Sequence, residues 1–367
     1  MSQINVGPNK NVVELPISKI YRIGFSINQN SLFFKKNKHE KIPPFFLNPY
    51  LFDVTNAYCN TLNLEVSLFG SMDKKKRPYL AIFDNKKWFP VAWGNKNKSH
   101  VLFNNMGLGI LYLPVYNSQQ GIEAAGYPFI VHNDSTIKRI VPSVNETIKL
   151  VLYRKYPIRP VHEWALTRMD GGRFEGANKS DFSDASLLYK HQGISNPVFH
   201  TVLSESDKKF KYVRYIGADG SFSTISEIMF YDENGIELRG KIIGSDGSYK
   251  DFGSTKEKAF DKNILTGFDG HTSKGTWVGI EFSKPVEIKK IRYIPRNDGN
   301  CIEIGNRYEL VFWNNKTWES LGEKVADSDS LVYPNCPKNA LFLLHNKTKG
   351  IEERPFLLNE NGEIDWW

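Results

Sequence analysis

Apolar residues in this chain come in short runs rather than long stripes. Between Leu51 and Val151 they read "NLEVSLFG", "YLAIFDNKKW", "GILYLPVY", "YPFIVHN" and "TIKLVLY", separated by Asn, Asp, Gly and Lys. Runs of this length, with turn signals about every ten positions, predict an antiparallel β-sandwich. A second set follows in "KYVRYIGADG", "ISEIMFYDENG", "TWVGIEFSKPVEIKKIRYIPRNDG", "YELVFW" and "NALFLLHN". Within "VEIKKIRYI", Val286, Ile288, Ile291 and Tyr293 interrupt charged positions, as a half-buried strand requires. Asn-Gly in "FYDENGIEL" and "LNENGEIDW" predicts hairpins of type I′, whose two central residues both need positive φ. Amphipathic helical stripes are scarce. The expected fold is all-β: several antiparallel β-sandwiches.

One phrase is written twice. "LAIFDNKKWFPVAWG" and "LVFWNNKTWESLG" each bring an apolar run to a polar turn and restart at a tryptophan, Trp88 and then Trp318, 230 residues on. The same offset joins "GILYLPVYNSQQGIEAAGYPFIV" to "NALFLLHNKTKGIEERPFLL". Gly121–Glu123 matches Gly350–Glu352, and Pro128-Phe129 matches Pro355-Phe356. Two hairpins in the same order argue for duplication, and the alternative is two unrelated β domains with similar turn chemistry. Repeated tryptophans are expected in a core rather than on a ligand platform.

Proline and composition shifts suggest boundaries. Residues 1–46 read as an irregular or partly helical lead-in closed by Pro43, Pro44 and Pro49. Residues 47–155 form the first sandwich. A connector, 156–167, carries Pro157 and Pro160 before a helical turn around Trp164. Two further units are expected at 168–240 and 241–367, either adjacent or with strands intertwined.

Composition narrows the chemistry. With 367 residues, 40% hydrophobic and 13% aromatic, the chain can bury more than one core. No run of about 18 apolar residues exists for a membrane helix, and "MSQINVGPNKNVVELP" lacks a signal-peptide stretch. That pattern fits a cytoplasmic protein or one whose leader has been removed. The net charge of +8 invites a nucleic-acid reading, yet the densest clusters (Lys35-Lys36, Lys38, and Lys74–Arg77) sit between apolar runs as solvated loops. Three scattered cysteines, Cys59, Cys301 and Cys336, are read as buried thiols or one optional disulfide. None lies in the context of a thiol nucleophile, and no serine elbow, phosphate loop or dinucleotide fingerprint occurs. The chain is read as non-enzymatic.

A resemblance enters at "KEKAFDKNILTGFDGHTSKGTWVGIEFSKPVEIKKIRYIPRNDG", which resembles the opening of a discoidin, or coagulation-factor type C, module. Ala259, Phe260, Asp261, Thr266, Trp277, Val278, Ile280, Ile288 and Ile291 carry it. "KFKYVRYIGADGSFSTISEIMFYD" resembles that family's closing strands, so a closing signature precedes an opening one. More broadly, residues 40–367 resemble the C-terminal, non-catalytic part of bacterial surface proteins with a transglutaminase-like domain, through "DVTNAY", "WFPVAWG", "GRFEGANKSDFSDA", "PRNDGNCIEIGNRYEL" and the final "WW". The resemblance implies a galactose-binding-like jelly roll in the C-terminal part and an extracellular, periplasmic or cell-surface location. It also implies a glycan or glycoprotein ligand, while the scattered lysines and the lack of a long apolar run argue against nucleic acid and membrane insertion. The rival is a scaffold that positions a catalytic partner without binding sugar.

In such modules ligand loops gather at one end of the sandwich. The loops here best supplied with planar donors and acceptors are "FDGHTSKGTW" and "PRNDGNCIEIGNRY", offering Asp269, His271, Arg296, Asn297, Asp298, Asn300, Asn306 and Arg307. The bland alternative is a well-made turn with an Asp298–Arg307 salt bridge. Trp277 is expected in the core of the strand it opens, and Trp366-Trp367 packed against a neighbouring strand. No cofactor is required. The resemblance also implies a structural calcium, for which Asp261, Asn263 and Thr266 are the candidates, although Lys262-Asn263 replaces the family's Gly-Asp and weakens the site. Asp181 and Asp184 suggest a similar loop, or else a helix N-cap before "FSDASLLY".

Overall fold

The structure is a computed structural model describing residues 62–70, 76–84, 86–96, 100–118, 121–158, 160–350 and 353–367, with short elements between 3 and 58. It is β-rich throughout, and its helical elements among the described residues are short 3-10 turns. None is long and apolar enough to cross a membrane. The chain forms two compact units. One holds residues up to Leu150 with Arg307–Lys324 and Val332–Trp367, and the other holds Val151–Asn306 with Val325–Leu331.

The written-twice phrase explains the first unit. Its first sheet runs, in order, Lys87–Trp93, Pro78–Asp84, Ile110–Ser118, Phe129–Val131, Ile137–Arg139, with Gly121–Ala124 folded back on Ile110–Ser118. The second runs Trp318–Val325, Arg307–Trp313, Phe342–Asn346, Phe356–Leu358, Ile364–Trp366. Apart from Gly121–Ala124, which has no counterpart strand among the described residues, the two orders match strand for strand, so the repeat extends one hairpin beyond the two read from the sequence. The turns match as well. His132 N–H donates to the Thr136 carbonyl in one copy, as Asn359 does to Glu363 in the other, both at 2.9 Å. Positive φ recurs at equivalent positions: Gly109 and Asn339, Gly121 and Gly350, Ser135 (70°) and Gly362 (80°).

Each copy has an apolar face that water would penalise, and each covers the other's. Ala81, Leu111, Leu113 and Ile130 from the first sheet share a core with Trp313, Leu341 and Leu357 from the second. At its centre lie four rings. Phe83–Trp88 and Trp313–Trp318 each sit 5.3 Å apart within a copy, and Phe83–Trp318 and Trp88–Trp313 each 5.7 Å apart between copies. All four contacts are edge-to-face, the geometry the ring quadrupole favours. Trp367 packs against the same cluster and Trp366 against Phe356, as expected of the terminal pair. The first sheet's other face (Leu80, Ile82, Tyr112, Val131) is covered by Leu64, Val66, Val101 and Phe103, from the sheet of Leu62–Val66, Val101–Met106 and Asn95–Lys96. Burial on both faces is why "LAIF" and "ILYLPVY" are continuously apolar rather than alternating.

The second unit is a sandwich of its own. One sheet runs Ser186–Lys190, Arg173–Ala177, Lys209–Ile216, Trp277–Glu287, Lys241–Gly244 and the other His200–Leu203, Lys290–Ile294, Glu227–Tyr231, Glu237–Leu238. Phe174, Tyr215, Phe230, Phe268 and Tyr293 fill the core between them.

Several expectations change. Strands from 168–240 and 241–306 share both sheets, so this stretch is one intertwined body. Residues 307–324 and 332–367 complete the first unit rather than a C-terminal one. The reason is that the duplicated sheet faces need each other, which makes 151–306 an insertion between the copies. Three short strands, Gln3–Asn5, Ile20–Gly24 and Ser31–Lys35, fall where an irregular or partly helical lead-in was expected, and with Tyr50–Asp53 they form a sheet. Both Asn-Gly hairpins exist, but only Gly235 and Gly362 have positive φ, so neither turn is type I′. In the first, Asp232 Oδ1 accepts the Asn234 and Ile236 N–H groups and shapes a longer loop. "FSDASLLY" forms no helix: Ser186–Lys190 is a strand, and Asp181 accepts Ser183 N–H while Asp184 accepts those of Asn178 and Lys179. The turn around Trp164 is present as the 3-10 helix Pro160–Thr167. Cys301 and Cys336 are free and buried, and Cys59 and Lys74-Lys75 lie outside the described residues.

The mutual covering predicts that Trp313→Ala destabilises the protein by about 3–5 kcal/mol, read as a lower urea midpoint. The matched turns predict a gain of about 0.5–1 kcal/mol for Ser135→Gly, because glycine carries no steric cost at positive φ, and a loss of similar size for Gly362→Ser.

Candidate functional site

The loop following Lys290–Ile294 was the strongest sequence candidate, and its polar groups are turned inward. Arg154 makes three bonds there: Nε to the Tyr156 carbonyl, Nη1 to the Pro197 carbonyl at 2.8 Å, and Nη2 to Asp298 Oδ1 at 2.6 Å. Asp298 is almost wholly buried. Burial opposes its ionisation, but the Arg154 guanidinium and hydrogen bonds from Arg154 and Asn300 outweigh it and hold the carboxyl below its ordinary range. Asn297 donates to the Ile264 and Pro295 carbonyls and accepts Gly299 N–H. Asn300 is fully buried, and its amide donates to the Asp298 carbonyl. The loop is therefore a clamp joining 153–156, 197 and 264. The Asp298–Arg307 pair considered from sequence does not form: Asp298 takes Arg154, and Arg307, exposed in the other unit, pairs with Glu323. Asn306 is half-buried with its amide nitrogen buried and without a hydrogen-bond partner among the described residues.

Arg296 leads elsewhere. It bonds Asp269 Oδ2 at 2.7 Å and Ser254 Oγ at 3.2 Å, and the main chain of Asp269 bonds both Tyr249 and Ser254. The 269–271 and 249–254 loops are thereby fixed to each other, with His271 exposed beside them. On this side lies an aromatic ledge that sequence reasoning missed. Phe222 meets Tyr249 edge-on at 5.0 Å, Tyr249 meets Phe252 at 6.1 Å, and Phe252 is 75% exposed. Arg168 extends it, 5.8 Å from the rings of both Phe222 and Trp164. Four non-glycine residues here hold left-handed backbone: Phe222 (57°), Ser223 (48°), Lys250 (48°) and Asp251 (57°). Such conformations cost about 1 kcal/mol or more each and persist only where bonds enforce them. Ser223 is so enforced: its Oγ accepts Gly217 N–H and donates to the Thr276 carbonyl, while Gly270 N–H bonds Phe222 O. The available sequence signal was "GSYKDFGS", two aromatics inside a Gly- and Ser-bounded loop. Trp277 is half-buried against Phe182 and Arg214, outside the central core expected for it.

The calcium candidates do meet in one turn. Thr266 Oγ1 donates to Asp261, Asn263 N–H bonds Asp261 Oδ1, and Lys258 Nζ lies 3.2 Å from Asp261 Oδ2. Behind them stands Glu227, from the strand Glu227–Tyr231, which the sequence reading had not assigned. Its side chain is buried, Oε1 accepts Asn263 N–H, and the proton it holds is shared with the Asp261 carboxylate. Burial, then the neighbouring Asp261 carboxylate, push Glu227 up to about 8. Two adjoining carboxyls that share a proton suit a hard cation able to displace it, and Glu227, Asp261, Thr266 and the Asn263 carbonyl would hold it. Lys258 is the counter-charge such a cation would compete with. No cluster of three or more His, Cys, Asp or Glu side chains able to hold a metal occurs among the described residues, so main-chain and hydroxyl oxygens would have to complete the shell.

Asp298→Asn should cost about 3 kcal/mol, since it leaves Arg154 unpaired in a buried setting; chemical denaturation reads it. Because Asp298 titrates below its ordinary range when folded, that cost is full at pH 7 and shrinks as pH falls through the folded value. Glu227 has the opposite sign. The folded protein keeps a proton that the unfolded chain releases, so stability falls between about pH 4.5 and 8, and Glu227→Gln should flatten that fall in urea titrations. No family model, curated protein or solved structure compared with this chain matches it.

Proposed function

We propose that the second unit is a non-catalytic carbohydrate-recognition module of an extracellular or cell-surface protein, with glycan or glycoprotein as its ligand. The observation that carries this reading is Phe252, 75% exposed on a loop tied through Asp269 to Arg296. A sugar ring offers a weakly apolar face and a rim of hydroxyls. An aromatic ring beside fixed planar donors and acceptors answers both needs. The left-handed residues at Phe222, Ser223, Lys250 and Asp251 support pre-organisation of the ledge, which lowers the entropy lost on binding. The ligand residues in this reading are His271, Asp269 and the Phe222–Tyr249–Phe252 ledge. Asp298, Asn297 and Asn300 hold the loops behind them. A structural cation on Glu227 and Asp261 belongs to the same reading.

One observation favours the rival, a scaffold that binds protein: the charges of the 296–298 loop are consumed by Asp269 and Arg154. The two are separated by a glycan-array screen of the chain with and without calcium, beside Phe252→Ala. The carbohydrate reading expects a saccharide signal that weakens about five- to tenfold in the variant, with the fold intact. A blank array from folded protein would sink it. Calcium at pH 8 should raise the melting temperature of the wild type but not of Glu227→Gln.

A further inference from the structure

The strand Ile137–Arg139 ends the first sheet, and its three side chains are all exposed. Its register with Phe129–Val131 pairs Ile137 with Val131, Lys138 with Ile130 and Arg139 with Phe129. The flanking bonds, His132 N–H to Thr136 O and Ile140 N–H to Pro128 O, fix which residues face inward. In an antiparallel ladder such bonds alternate, so Lys138 spends its N–H and C=O on the neighbour while Ile137 and Arg139 direct theirs outward. No further strand pairs with this edge among the described residues. Among the described residues it is an open template for one more strand.

Hollows lie on both sides of it. One, of about 510 Å³, has Ile140, Ile148, Leu357 and Leu358 in its walls and Lys138 and Lys338 at its rim. The other, of about 400 Å³, is lined by Val66, Phe129, Ile137 and Glu65, whose carboxylate lies 3.4 Å from His100 Nε2, and Arg139 borders both. An added strand sends alternate side chains to opposite faces, so each hollow would receive every second residue. Charge selects the occupant. The larger hollow has three cations, Lys138, Arg139 and Lys338, against one carboxylate, Glu360. Lys338 is engaged by Glu146, whereas neither Lys138 nor Arg139 has an ion-pair partner among the described residues.

We propose that the Ile137–Arg139 edge binds an extended acidic segment of a partner protein by strand addition, with apolar side chains entering the hollows and carboxylates meeting Lys138 and Arg139. Main-chain bonds at Ile137 and Arg139 supply affinity, and the hollows and cations supply selectivity. This surface belongs to the first unit and does not depend on the carbohydrate reading.

The test uses the full chain and a fluorescein-labelled peptide of repeated Glu-Glu-Val-Val, which presents both residue types on each face of an added strand, with its lysine-for-glutamate counterpart as control, read by anisotropy at low salt. Saturable binding of the acidic peptide alone is expected, weakening as salt rises. Lys138→Glu/Arg139→Glu should weaken it about tenfold. Ile137→Pro should weaken it by about as much, because it removes an outward N–H without touching the inward ladder. Absence of saturable binding, equal binding of the basic peptide, or unchanged affinity in both variants would overturn the proposal. So would a chain that is dimeric in solution and becomes monomeric with Ile137→Pro, since the edge would then be occupied by a second copy.

Discussion

Two apolar sheet faces that cannot stay in water govern this protein. Each is built from the same hairpins, and each is the other's cover. The four rings of Phe83, Trp88, Trp313 and Trp318 mark where they meet, with nearly the same spacings within and between copies. Equal spacings follow from equal surfaces: a patch that packs well against its own copy has one packing problem to solve, not two. The insertion of 151–306 is tolerated because it leaves both copies' strand orders unchanged.

The second unit rests on a different constraint, the cost of burying charge. Arg154 and Asp298, Arg296 and Asp269, and Arg214 with Glu175 each remove ions from water and offset that loss by close, multiply bonded contacts. The first two hold loops, and the third ties adjacent strands, since Glu175 lies directly opposite Arg214 in the sheet. What they leave, exposed Phe252 and His271 with half-buried Phe222 and Tyr249 behind Phe252, is the surface on which recognition is proposed.

The sequence disclosed some of this and hid the rest for physical reasons. Alternation and turn residues are local, so the all-β class, the individual strands and the repeat around Trp88 and Trp318 were legible. Which sheet face covers which is decided by contacts across the whole chain, and so the 241–367 unit was misdrawn. The polar types at 296–300 marked a loop correctly, but their saturation depends on Arg154, 144 residues before Asp298. Glu227 was hidden for the opposite reason. It sits in an ordinary strand phrase, "ISEIMF", and only burial beside Asp261 gives it chemistry.

The insertion has a consequence in time. A ribosome makes the first copy's strands by Arg139 but cannot begin the second before Arg307. At roughly 5–20 residues per second, the face bearing Leu111, Leu113 and Ile130 waits on the order of ten seconds or more for its cover. Most of the inserted sandwich emerges in that interval and can fold first. Synthesis therefore passes through a stage in which a wide apolar sheet face is exposed, and the chain depends during that stage on whatever in the cell shields such faces from aggregation.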